Sequence, residues 1–268
     1  MSLELAMLSP HTPRMCHEDR VADFQRPLVQ AMHAARSAIE QVQPEVLVIV
    51  SCHWASSFHH YVDATPRHRG VLTAFECPDL ITDVPYDYPG DAELANELVE
   101  AGKRAGIPVI GISDPSYVWD YGTVVPLRYL LPRGDVPVVD LSVCWAASLD
   151  ETMTWGQQIG TVLRSSPKRC VFVASGALAH NLVRGPEKWP NITEQTLDRE
   201  FCGYLVDGNF QAAIDMLPSY ARAANVESGG RHVAMLLGVL QGTYKGTLHG
   251  YGPSSGSGNP VITLKPAG

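Results

Sequence analysis

The sequence predicts a single α/β domain spanning residues 1–268: a central, mostly parallel, twisted sheet flanked by helices, with any site at the carboxyl ends of the strands. Three observations carry that prediction. Short apolar runs alternate with segments of helical periodicity. Two of those runs, EVLVIVS (45–51) and RCVFVA (169–174), lack the in–out alternation of a half-exposed strand, as strands covered on both faces do. No internal repeat or linker-like stretch divides the 268 residues, because the Gly/Ser-rich segment 253–259 lies near the C-terminus.

Taken in order, residues 3–9 form an apolar run that ends in Ser-Pro. Phe24, Leu28, Met32, Ala35, Ile39 and Val42 then recur at helical spacing until Pro44, which cannot continue a helix. The strand at 45–51 follows, so the first three elements make a βαβ unit. A helix over 91–105, strands at 107–112 and 136–143, a helix near 151–163 and the strand 169–174 extend the alternation. Residues 194–217 and 230–240 read as helices, and 261–264 as a strand that closes the sheet. The polar segments 56–89 and 183–195 exceed ordinary connections, and loops of that length are often lids over a site.

Composition narrows the function. A hydrophobic share of 45% suits a globular domain with a sizeable core, and a net charge of −8 offers no basic patch for nucleic acid or an anionic membrane. No apolar stretch reaches bilayer length, and residues 1–9 lack the basic start and cleavage site of a secretory leader, so a cytoplasmic protein is expected. The six cysteines (Cys16, Cys52, Cys77, Cys144, Cys170, Cys202) include no CxxC pair and read as reduced thiols. The sequon at Asn191 would matter only after secretion.

The chemistry gathers at predicted strand ends. His11 follows the first strand (LAMLSPH) and His53 the second (VLVIVSCHW), and a right-handed crossover brings both to one edge of the sheet. Two imidazoles there invite a divalent metal. One carboxylate would complete a 2-His-1-carboxylate set, and Asp120, Glu227 and Asp140, each at an element end, are the candidates. His180, after the strand RCVFVA, suits a general acid/base. Tyr121, in WDYGTVVPL, is either a buried structural tyrosine or a hydroxyl that meets substrate. His59 and His60 are either ordinary exposed histidines or substrate contacts. The glycine-rich tail 249–259 wraps the site or an interface. No GxSxG elbow is present, and Cys52, the one cysteine considered as a nucleophile, would point away from His53 on an extended strand.

At these residues the chain resembles the class III extradiol ring-cleavage dioxygenases, the protocatechuate 4,5-dioxygenase superfamily, and within it the subunits of 2-aminophenol 1,6-dioxygenase. The matching segments are SPHTP (9–13), PEVLVIVSCHW (44–54), DYGT (120–123), SGALAHNL (175–182) and LHGYGPSSGSGNPVI (248–262), in order along nearly the whole chain. The resemblance implies Fe(II) held by His11, His53 and Glu227, His180 as catalytic acid/base and Tyr121 against the substrate. It implies a catechol, 2-aminophenol or dihydroxypyridine/hydroxypyridone ring as substrate, O₂ as co-substrate, and a homo-oligomer or a complex with a homologous second subunit. In a comparison without gaps, Asn225 rather than Glu227 stands at the family's acid, while Glu227 is the only carboxylate in that stretch. The tail also resembles the aminophenol enzyme's metal-free subunit. A metal-free partner subunit or a Memo-like non-enzymatic protein is therefore the rival reading, and a zinc hydrolase with the same ligands is a third.

Overall fold

The first apolar run folds into strand β1 (Leu3–Ser9), with the bounds the sequence implied. The computed structural model describes residues 2–267. Helix α1 (Arg26–Val42) follows, closed by Gln43 in the left-handed region at φ 48° and then by Pro44. Strand β2 (Val46–Ser56) alternates cleanly: Val46, Val48 and Val50 face one core, Leu47 and Ile49 the other. The polar segment after it is only partly loop, since it folds into β3 (His60–Asp63) and a hairpin of β4 (Arg67–Leu72) and β5 (Val84–Pro89).

Asp91 caps α2 (Ala92–Arg104), its side chain accepting from Leu94 N at 3.1 Å. β6 (Val109–Ile112), α3 (Tyr121–Leu130), β7 (Val138–Cys144), α4 (Leu149–Ser165) and β8 (Cys170–Ser175) continue the alternation. The expected helix over 194–217 is instead two, α5 (Ile192–Asp207) and α6 (Phe210–Ala223), because the Asn209 side chain caps a new start at Ala212 N. The sequon residue Asn191 caps α5 in a reciprocal capping box with Glu194. α7 (Arg231–Val239) precedes a hairpin of β9 (Tyr244–Ser254) and β10 (Ser257–Pro266).

The eight-stranded sheet runs β6-β3-β7-β2-β8-β1-β10-β9. Its centre, β7-β2-β8-β1, is parallel throughout; β3 joins β7, and β10 joins β1 and β9, antiparallel. The strand expected to close the sheet is therefore not its edge: β10 is internal and β9 lies outside it. One core packs α2, α4, α5, α6 and α7 against the sheet, and the other packs α1, α3 and the β4–β5 hairpin. No helix among the described residues is long and apolar enough to cross a membrane.

Candidate metal centre and active site

Because β8 lies between β1 and β2 and all three are parallel, their carboxyl ends open on one place. His11 stands two residues past β1, with Nδ1 2.9 Å from Oγ of Ser175, the last residue of β8. The Ser175 hydroxyl donates its one proton to Gly122 O, so Oγ must accept from His11 Nδ1–H. The lone pair on His11 Nε2 then faces inward, the tautomer a metal ligand needs.

His53 reaches the same point through an irregularity in β2. Ser51 pairs with Ser142, but the next pairing is Ala55 with Val143, so residues 52–54 bulge out and the side chain is re-aimed. Ser51 Oγ holds the bulge, accepting from His53 N at 3.1 Å and donating to Asp120 Oδ1 at 2.6 Å. His53 Nδ1 lies 3.3 Å from Glu76 Oε1. Its Nε2 turns to Glu227.

Glu227 arrives from the turn between α6 and α7. Its Oε2 accepts from Ala177 N at 2.6 Å, and its own backbone N donates to Leu178 O. Its Oε1 is 3.2 Å from His11 Nε2 and 3.4 Å from His53 Nε2, and one ligand atom from each of the three residues lies within 4.8 Å of the others. Two inward imidazole nitrogens around a buried carboxylate oxygen need a positive charge between them, either a proton or a cation. The donor set, two imidazoles and one carboxylate, is that of an open-sided divalent metal site.

The other two carboxylate candidates are engaged elsewhere. Asp120 caps α3 through Thr123 N, and Asp140 accepts from Thr123 Oγ1 at 3.0 Å in the core. Asn225, two residues before Glu227, is exposed and donates its amide to His180 O at 3.2 Å.

His11, His53 and Glu227 line one cavity of about 390 Å³ together with Tyr121, His180, Arg14, Glu76, Cys77 and Asn259. Tyr121, the first residue of α3, lays its ring 3.9 Å from that of His53 between centroids. His180 Nε2 is 3.9 Å from Glu227 Oε1. Burial opposes the Glu227 anion, but the imidazoles of His11, His53 and His180 overcome it and hold the carboxyl well below its usual range. Burial likewise depresses His53, yet Glu227, Asp120 and Glu76 together leave it raised. At His180 burial prevails over Glu227, and His11 and His53 add to it, so its pKa is lowered and the ring is neutral at pH 7.

His59 and His60 do not join them. His60 is fully buried rather than exposed, beside Trp155 with Nε2 3.3 Å from Glu151 Oε1, and His59 lies next to Tyr61; neither lines the cavity. Cys52 is also excluded from chemistry: its buried thiol is 3.2 Å from Ser228 Oγ, and burial pushes its pKa well up. The loop between β4 and β5 supplies Glu76, Cys77 and Leu80, and the tip of the β9–β10 hairpin supplies Ser254, Ser255, Ser257 and Asn259. The tail's glycine and serine content had signalled that second contribution; nothing local signalled Glu76 or Arg14.

Residues 5–259 match the family model described as the catalytic LigB subunit of aromatic ring-opening dioxygenase. The chain is 26% identical over 279 residues to the 2-aminophenol 1,6-dioxygenase beta subunit of a Pseudomonas species, covering 95% of this chain and 91% of that protein. It is also 26% identical to the alpha subunit, over 88% of this chain and 92% of the relative. The 3,4-dihydroxyphenylacetate 2,3-dioxygenase of Escherichia coli is 26% identical over 73% of this chain and 74% of its own length. A crystal structure of a further protein from Escherichia coli K12 superposes with a TM-score of 0.71 at 19% identity, over 98% of this chain and 99% of that one, and so shares the fold.

Proposed function

The chain belongs to the LigB family of aromatic ring-opening dioxygenases and is an extradiol ring-cleavage dioxygenase, and from that premise we propose that it uses Fe(II) held by His11, His53 and Glu227. The observation that carries the reading is the convergence of those three ligand atoms, with His11 fixed by Ser175 in the metal-binding tautomer, at the floor of a cavity that also holds His180 and Tyr121. When bound, Fe(II) would supply a point where an aromatic ring with two adjacent heteroatoms and O₂ meet, and would lower the pKa of the ring hydroxyl.

This chain's own residues then do the rest. His180, neutral because burial depresses it, receives the ring hydroxyl proton and later returns one. The Tyr121 hydroxyl contacts the bound ring. The apolar wall of Pro13, Leu80, Ala177 and Leu182 excludes water, and the cavity suits a small aromatic molecule. Cleavage falls beside the heteroatom pair and both atoms of O₂ enter the product. The substrate is a catechol, a 2-aminophenol or a dihydroxypyridine or hydroxypyridone.

The protein works as an oligomer, either of itself or with a homologous second subunit, a reading supported by the subunit names of its relatives. A cytoplasmic setting is supported by six cysteines with no disulfide among the described residues.

Oxygen uptake after anaerobic Fe(II) loading, with catechol, 2-aminophenol and 3-hydroxy-4-pyridone, tests the proposal. Ring-dependent uptake, with label from ¹⁸O₂ at two positions of the product, is expected. Turnover without O₂ would point to a zinc hydrolase. Failure to retain iron, with a homologous catalytic chain co-purifying, would point to a metal-free partner.

A further inference from the structure

The imidazole of His180 has no hydrogen-bond partner among the described residues; Glu227, at 3.9 Å, is beyond hydrogen-bond reach. Its place must therefore be set through the chain that carries it, and both of its neighbours are held, Ala179 by its backbone and Asn181 by its side chain. Ala179 N donates to the Asp198 carboxylate, 3.2 Å from Oδ1 and 3.4 Å from Oδ2. Asn181 Nδ2 donates to Glu194 Oε1 at 2.5 Å. Asp198 and Glu194 are four residues apart, one turn of α5, and so share a face of that helix. His180 N donates to Ala224 O, and His180 bridges Ser257 of β10.

Asp198 is more than a local clip. It is fully buried and also accepts from Tyr220 of α6 at 2.5 Å and Tyr251 of β9 at 2.6 Å. Gly258 of β10 packs so close that a Cβ there would stand 2.0 Å from Asp198 Oδ2, and Gly258 N donates to Ala179 O. Three elements and the His180 segment thus meet on one carboxylate. Burying a charge there is costly where apolar residues would pack, and a fixed geometry around His180 is what the arrangement yields.

We infer that Asp198, with Glu194 one turn earlier, is a positioning residue that sets the His180 imidazole over the His11–His53–Glu227 centre. The inference rests on the acid/base role proposed for His180. Proton transfer requires hydrogen-bond reach, and a displacement of about 1 Å can lower turnover on the order of 100-fold.

The test is a pair of double-mutant cycles on the Fe(II)-loaded full chain. Asp198→Asn and Glu194→Gln are each made alone and in a His180→Ala background. Asp198→Asn is expected to lower kcat about 10- to 100-fold while KM and iron content stay within about twofold. In the His180→Ala background the same change should cost less than about twofold, because the residue acts through His180. Equal losses in both backgrounds, or an unchanged kcat, would overturn the inference. If Asp198→Asn does not fold, Glu194→Gln and Tyr251→Phe, each removing a single bond of the clamp, are read against the same criteria. A second readout does not need turnover: the Hε1 proton resonance of His180 in the Zn(II)-loaded protein, identified by its loss in His180→Ala. It should move in Asp198→Asn, and a stationary line would overturn the positioning role even if the wild type cleaves no ring and the proposed activity fails.

Discussion

Ser175 decides which nitrogen of His11 faces the cavity, and that hydroxyl is the cheapest place to probe the centre. Ser175→Ala frees Nδ1 to take either tautomer, so Fe(II) affinity should fall about 10- to 100-fold by equilibrium dialysis with little change in fold. Unchanged affinity would mean that Ser175 does not orient the ligand. His180→Ala should keep its iron and lose about 10²- to 10⁴-fold in kcat; a wild-type rate would remove the acid/base assignment. At this scale the sequence is legible where chemistry follows a strand: His11, His53, His180 and Tyr121 all lie where strand ends and a helix start deliver them. Glu227 was harder, because no strand precedes it and Asn225 competed for its place. The structure separates the two by turning the Asn225 amide onto His180 O and the Glu227 carboxylate inward. Glu76 was illegible, since its loop approaches His53 only through tertiary packing.

Among the elements, β7 and α3 share a buried acid. Asp140 is fully buried on β7, and burial, with the nearby Asp120 and Asp63, pushes its pKa well up despite bonds from Thr123 and Leu141 N. A carboxyl raised in the fold favours the native state most below its unfolded pKa, and that advantage is lost as pH rises through the folded value. Asp140→Asn should therefore gain about 1 to 3 kcal/mol on wild type between pH 4 and pH 8 in urea titrations. A difference that does not vary with pH would show the carboxyl ionised throughout. Elements with strong periodicity were readable from sequence, β1, α1, α2 and β8 within one or two residues. β9 was not: its glycines remove the alternation that marks a strand, and Gly250 is there because α1 packs so close that a Cβ would lie 2.8 Å from Ala31 Cβ. Helices α5 and α6 were merged because the break at Asn209 is a matter of capping, which hydrophobic period does not register.

In the whole molecule, the three proposed ligands are residues 11, 53 and 227, so a bound ion would tie segments far apart in sequence across the sheet. A metal that binds only the folded state stabilises it by about 2.7 kcal/mol at a free concentration of 100 Kd. At this size that corresponds to a rise in Tm of roughly 5 to 10 °C, seen by anaerobic calorimetry and reversed by a chelator. No shift with metal would detach the three residues from any ion. The sheet order has a further consequence, for the time before the molecule exists as a whole. β1 is made long before its neighbours in the sheet, β8, from residue 170, and β10, from residue 257. At ribosomal speeds of about 5–20 residues per second, a seven-residue strand with five apolar side chains must wait on the order of ten to fifty seconds for both partners. Until the hairpin of β9 and β10 emerges, the nascent chain carries an unpaired strand edge, and its correct assembly depends on that edge being shielded from other chains during translation.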